Sequence, residues 1–259
     1  MRAGILLSAR DKATRLPGKA LLPLAGGTVT QFLLRRLATA ERAGAVVLAT
    51  STDPRDAALC DLAAADGFAA FRGSPDDKLR RYRDAARAHR FDFVVVVDGD
   101  DPFVSVAHID RIIAFAALSE PPADFVTFDR LPLGATGFGV GAAALERVCA
   151  TRPEGDTEVW GHLFRDDPAF RCVDLVEDDP RLAQPDLRLT LDFPEDYALF
   201  RAVVEGLAAE ARHPSFEAVM DWLGRNPRVA ALNRGVQASY EAHFAASRAA
   251  VTRTPRAGC

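Results

Sequence analysis

The run at 93–97, FVVVV, is apolar at every position and ends abruptly in the acidic turn Asp98-Gly99-Asp100-Asp101-Pro102. A strand with one face in water alternates polar and apolar residues; a strand covered on both faces need not, so this run calls for helices above and below it. Other apolar runs at 3–7, 45–49 and 68–71 alternate with amphipathic helical stretches at 30–42, 55–65, 76–90 and 107–118. That rhythm predicts an α/β class chain, a Rossmann-like and mostly parallel sheet with helices on both faces.

The 259 residues, 49% of them apolar, suffice for one full core. We expect a single domain over 1–233, with an irregular segment at about 123–188 suited to an acceptor pocket and a dimer contact. A C-terminal helix and tail follow at 234–259. Within the irregular part, a strand near 124–128, a Gly-rich stretch LGATGFGVG and a helix at 142–150 are expected. The periodicity then recovers, with a strand at 187–191 and helices at 194–209 and 216–223.

A net charge of −4 argues against a general nucleic-acid binder, which needs a basic face. The four cysteines are scattered without a C-x-x-C pair, which suggests neither zinc nor a disulfide framework. No leader and no stretch of about 18 apolar residues is present, so a cytoplasmic protein without a membrane partner is expected.

Against that acidic background, the segment leaving the first strand is locally basic. Arg10, Lys12, Arg15 and Lys19 fall within ten residues, with Pro17 and Gly18 keeping the backbone out of a helix. Loops at the carboxyl ends of parallel strands hold ligands in open α/β sheets, and this charge suits a polyanion such as a nucleoside triphosphate. The backbone of Ser8 to Thr14 could add amide donors. The alternative is a solvated basic turn, and the loop is not a Walker sequence.

Asp98, Asp100 and Asp101 leave the buried strand at that same edge, where carboxylates suit magnesium completed by phosphate oxygens. Asp101 or Ser105 could instead cap the next helix. Asp192 ends the run RLTLD and admits two roles, a second metal carboxylate or, with Glu195, a capping box for the helix at Pro194. Arg72-Gly73-Ser74 closes the third strand and could meet a base or ribose, although Ser74 with Asp77 also reads as a helix start. His162, beside Glu158 and Trp160, is the histidine best placed for chemistry; none of the five shows metal spacing.

Five ordered blocks carry a resemblance. ARDKATRLPGKALLPLAGG resembles the signature A-R-x-x-S-T-R-L-P-x-K-x-L of bacterial sugar cytidylyltransferases, and FRGSPDDKLRRY, VDGDDPF, LRLTLDFPEDY and RNPRVAALN resemble later blocks of the spore-coat polysaccharide group. The resemblance implies the nucleotide-diphospho-sugar transferase type of fold and a magnesium-dependent transfer of CMP from CTP to a small acidic sugar, sugar phosphate or phosphonate, with pyrophosphate leaving. It implies that Arg10, Arg15 and Lys19 bind triphosphate, that Asp100 and Asp192 hold Mg2+, and that Arg72 to Ser74 lie near cytosine. A homodimer is also implied. Ala13, Asp11, Phe193, Asp98 and the pair Glu158-Val159 depart from the usual pattern, so the acceptor need not be the usual one.

The expected nucleotide site therefore comprises Leu7, Ser8, Ala9, Arg10, Arg15, Lys19, Arg72, Gly73, Ser74 and Asp98. Catalytic roles are expected for Lys19, Arg10, Asp98 and Asp100, and acceptor contacts for Phe103, Thr136, Phe138, Glu158 and His162. Two rival readings are a glycosyltransferase using Asp98-Gly99-Asp100 as a D-x-D turn and a nucleotide-binding module without catalysis.

Overall fold

A computed structural model describes residues 1–12 and 15–252. In chain order the elements are β1 (Ala3–Ser8), β2 (Pro23–Leu24), β3 (Gly27–Thr28), α1 (Val29–Leu37), β4 (Val46–Ser51), α2 (Ala57–Ala65), β5 (Ala69–Gly73), α3 (Lys78–His89) and β6 (Phe93–Asp98). They continue as α4 (Val106–Leu118), β7 (Phe125–Asp129), β8 (Phe138–Gly141), α5 (Ala142–Ala150), α6 (His162–Arg165), β9 (Cys172–Val176), α7 (Pro194–Ala209), α8 (Phe216–Arg225), α9 (Pro227–Ala230) and α10 (Gln237–Thr252). The position of Ala13 and the tail after Thr252 lie outside the described residues.

Among the described residues, seven strands form one sheet in the order β5-β4-β1-β6-β8-β7-β9, parallel except for β8, which runs against both neighbours. The central strands show why apolar runs rather than alternation mark them. Ile5, Leu7, Val95 and Val97 point into a core built with α1, α4 and α7, while Leu6, Val94 and Val96 enter a second core with α3 and α5. Helices cover both faces, as the sequence predicts.

Local chemistry starts the helices. Thr28 and Gln31 form a capping box on α1, Asp77 accepts from the Arg80 amide at the start of α3, and Ser105 caps α4. At α7 the expected cap is replaced. Asp196, rather than Asp192 or Glu195, accepts from the Asp192 and Phe193 amides, at 2.9 Å each, which leaves the Asp192 carboxylate for other partners.

Two features of the irregular segment differ from expectation. The Gly-rich stretch supplies β8, whose glycines weaken the strand signal but allow close packing: a Cβ at Gly139 would lie 2.5 Å from Ile112. The segment 187–191 is not a strand. It makes one bridge, Leu133 to Arg188, and the Leu191 amide donates to the carbonyl of Asp100 at 2.7 Å. The chain is thus tied to the turn above β6 instead of to a strand edge, which carries Asp192 to Asp100.

Candidate active site

Register brings the basic loop and the acidic turn together. Ser8 at the end of β1 lies opposite Asp98 at the end of β6, and the Gly99 amide donates to the Ser8 carbonyl at 2.8 Å. Gly99 is required there, because a Cβ would stand 2.7 Å from that of Ala9. Above this junction opens a cleft of about 430 Å³. Its lining includes Ser8, Ala9, Arg10, Arg15, Lys19, Asp98, Asp100, Glu158 and Asp192, all expected from sequence.

Lys19 is the hub. Its ammonium donates to Asp100 at 2.6 Å and to Asp192 at 2.9 Å, joining carboxylates from distant parts of the chain. Arg15 donates to the same Asp192 oxygen at 2.8 Å, and Arg188 reaches the other at 3.0 Å. Burial alone would lower the pKa of Lys19, but Asp100 and Asp192 together carry it above the ordinary lysine value. Asp192, despite its own burial, is held far below the usual carboxylate range by Lys19 and Arg15.

A second hub lies beside it. Lys78, at the first position of α3, is buried and donates to Asp98 at 3.2 Å while pairing with Glu158 at 2.9 Å. Burial opposes its charge, yet Asp98 and Glu158 keep its pKa well above that of an ordinary lysine. Lys78 and then Arg10, which also pairs with Glu158, pull the Glu158 carboxyl down to about 2. Sequence reasoning missed Lys78; the available signal was its place where the chain re-enters a helix at the sheet's carboxyl edge, one turn after Ser74.

Asp98, Asp100 and Asp101 each offer a carboxylate oxygen, all within 4.8 Å of one another. Burial, followed by repulsion from Asp100 and Asp98, pushes Asp101 well above its ordinary pKa. Burial raises Asp98 too, with Lys78 partly offsetting it. Crowded hard oxygens fit a magnesium ion, and the Lys19 ammonium already holds a positive charge between Asp100 and Asp192. Asp101 belongs to this cluster, as its place beside Asp98 and Asp100 at the end of β6 predicts; of the two possible caps for α4, Ser105 does the capping.

Several expected residues do not meet the cleft. The Leu7 side chain faces the core, as a strand residue one position before Ser8 must. Phe103 is fully buried against Phe200, with ring centroids 4.6 Å apart, so the apolar core claims it. Phe138 packs on Trp160 at 5.4 Å, Thr136 donates to the Gly137 carbonyl at 3.1 Å, and His162 is buried in α6. Arg72 turns back to the carbonyls of Ser51 and Asp53, at 3.0 and 2.9 Å, while Ser74 donates to Glu154 at 2.9 Å and accepts from the Asp77 amide. Gly73 packs under Arg81. An adjoining hollow of about 220 Å³, lined by Arg10, Lys12, Ser51, Asp53 and Asp76 among others, lies on this side.

A mostly parallel sheet with a cleft of cations and carboxylates at its carboxyl edge has the architecture of the nucleotidyltransferase type of α/β protein. A cytidylyltransferase from Leptospira borgpetersenii has this fold, with a TM-score of 0.80 at 24% identity over 89% of this chain and 97% of that one. A CMP-2-keto-3-deoxy-manno-octonic acid synthetase complexed with CTP also shares it, with a TM-score of 0.60 at 16% identity over 81% of this chain and 100% of that one. The spore coat polysaccharide biosynthesis protein SpsF of Bacillus subtilis is 30% identical over 232 residues, covering 87% of this chain and 95% of SpsF. Residues 4–139 match the family model described as cytidylyltransferase, and the chain belongs to that family. Among the described residues, no helix is long and apolar enough to cross a membrane.

Proposed function

We propose that the protein transfers CMP from CTP to a small acidic acceptor, a sugar acid, sugar phosphate or phosphonate, and releases pyrophosphate. The observation that carries this reading is Lys19 bound at once to Asp100 and Asp192 within a cleft rimmed by Arg10 and Arg15. Three cations facing one space suit a triphosphate, and phosphate oxygens would take them over from their present carboxylate partners. The nucleoside is assigned to the adjoining hollow, which shares Arg10 and Lys12 with the cleft.

Release of Lys19 and Arg15 to phosphate frees Asp100 and Asp192 to hold magnesium. Asp100 and Asp192 would hold the ion, which when bound would supply charge neutralisation and a lowered pKa for the attacking oxygen. Asp98, fixed by Lys78, orients the acceptor hydroxyl for attack on the α-phosphorus. The new phosphorus–oxygen bond forms as the bond to the β-phosphate oxygen breaks, while Arg10, Arg15 and Lys19 hold the departing pyrophosphate. We further propose a homodimer built through 123–188, where β9 is an edge strand; sedimentation as a single monomeric species would exclude it.

Pyrophosphate release tests the assignment. CTP with magnesium and a panel of keto-acid and phosphonate acceptors is expected to give acceptor-dependent turnover that UTP, ATP and GTP support poorly. Calorimetric CTP binding without turnover on any acceptor would favour an inert binding module. Transfer from a nucleotide-sugar donor without pyrophosphate would favour a glycosyltransferase.

A further inference from the structure

The terminal helix α10 helps to line the cleft. His243, Ser247, Ala250 and Val251 border the same space as Lys19 and Asp192, and none of its residues borders the adjoining hollow. Tyr240, His243, Ser247 and Val251 recur at helical spacing and form one stripe. Attachment falls to the two ends of this stripe. The Tyr240 ring lies 4.4 Å from the Arg188 guanidinium, Val251 is buried, and Arg248 pairs with Asp166 at 2.8 Å. Between them, residues 241–246 are exposed.

Both anchors, Arg188 and Asp166, belong to the irregular segment at 123–188, so the helix crosses the cleft on the side away from the proposed nucleoside hollow. The middle of the stripe is polar where a purely structural strap would be apolar. Among the described residues, the side chains of His243 and Ser247 contact each other, Nε2 to Oγ at 3.5 Å, and no other side-chain hydrogen bond is made by either. These groups suit hydroxyl and carboxylate oxygens.

We infer that α10 is a strap over the acceptor half of the cleft, in which His243 and Ser247 hydrogen-bond a small hydroxylated acid and which lifts to admit it. This rests on the cytidylyltransferase reading above. A closed strap also keeps water from the place of the acceptor. If the strap is opened, water attacks in its stead: its oxygen bonds the α-phosphorus, its proton passes to solvent, the bond to the β-phosphate oxygen breaks, and CMP and pyrophosphate leave.

The test uses the full chain with Ala245→Pro, which kinks the exposed middle of α10, and Arg248→Glu, which breaks the Asp166 anchor while leaving the helix sequence otherwise intact. Each is measured for CTP affinity by calorimetry with magnesium and for pyrophosphate release from CTP with no acceptor present. The expected result is a CTP dissociation constant within about twofold of the parent and acceptor-free release raised at least about threefold by Ala245→Pro, less by Arg248→Glu. In parallel, His243→Ala/Ser247→Ala is expected to raise the acceptor KM about tenfold or more and leave the CTP KM within about twofold. Unchanged acceptor-free release in both strap variants overturns the inference, as does a loss of CTP affinity matching the loss of acceptor affinity. If the parent itself fails to bind CTP, the underlying reading fails instead.

Discussion

Two ionic clusters meet at Asp192, and they are built differently. On one side, Asp196 is fully buried and saturated: it accepts from Arg188 at 2.9 and 3.1 Å, from Asn233 at 2.8 Å, and from two backbone amides. On the other, Asp98, Asp100 and Asp101 crowd together at the open cleft, with Lys19 and Lys78 as their cations. A carboxylate surrounded by donors fixes a fold. Carboxylates surrounded by carboxylates await a positive ligand, and Asp101 carries a pKa raised first by its burial and then by repulsion from Asp100 and Asp98.

Each cluster can be disrupted by a single substitution. The largest effect is expected from Lys19→Ala, which should lower pyrophosphate release about 10²- to 10³-fold while leaving most of the thermal stability. Collapse of the fold with the activity would show that the cleft cluster is structural after all. Asp196→Ala should do the opposite, costing about 3–5 kcal/mol in urea unfolding because it strands Arg188 and two amides. A smaller loss, with full folding, would mean the saturated cluster is dispensable.

Next in size is an acid effect away from the cleft. Glu177 accepts from Arg111 at 2.6 Å and lies 2.6 Å from His108; although burial opposes, these contacts and the Asp179 amide bring its carboxyl down to about 2. Its contribution is present above the unfolded value near 4.5 and is lost as pH falls from there through about 2. Urea midpoints measured across that window should fall in the parent and fall less steeply in Glu177→Gln. Equal slopes would show that the contact carries no linkage. The smallest effect is expected from Lys12→Ala, whose exposed pair with Asp76 spans 2.9 Å and should contribute under about 1 kcal/mol to stability.

The sequence was most legible where one physical rule acts alone. Continuous apolar runs mark β1 and β6, an amphipathic stretch marks α4, and the resemblance implies a shared role for Lys19, Asp100 and Asp192, which the cleft brings together. It was least legible where geometry decides. Nothing in RLTLD distinguishes a strand from an extended crossing tied to the Asp100 carbonyl, and Phe103 and Phe138 carry no sign that packing, not a ligand, claims their rings. Lys78 passed as a helix residue because its two acidic partners come from β6 and from the loop holding Glu158. The same limit hid α10, whose helical pattern was plain and whose place over the cleft was not.

The central claim is that Asp100 and Asp192 act as one unit across the cleft. A double-mutant cycle with Asp100→Asn and Asp192→Asn, read as kcat/KM for CTP-dependent pyrophosphate release, tests it directly. Each single change is expected to cost about 10²-fold or more, and the double variant to fall no more than about threefold below the worse single. Losses that multiply, or either single variant retaining parental turnover, would contradict a shared site.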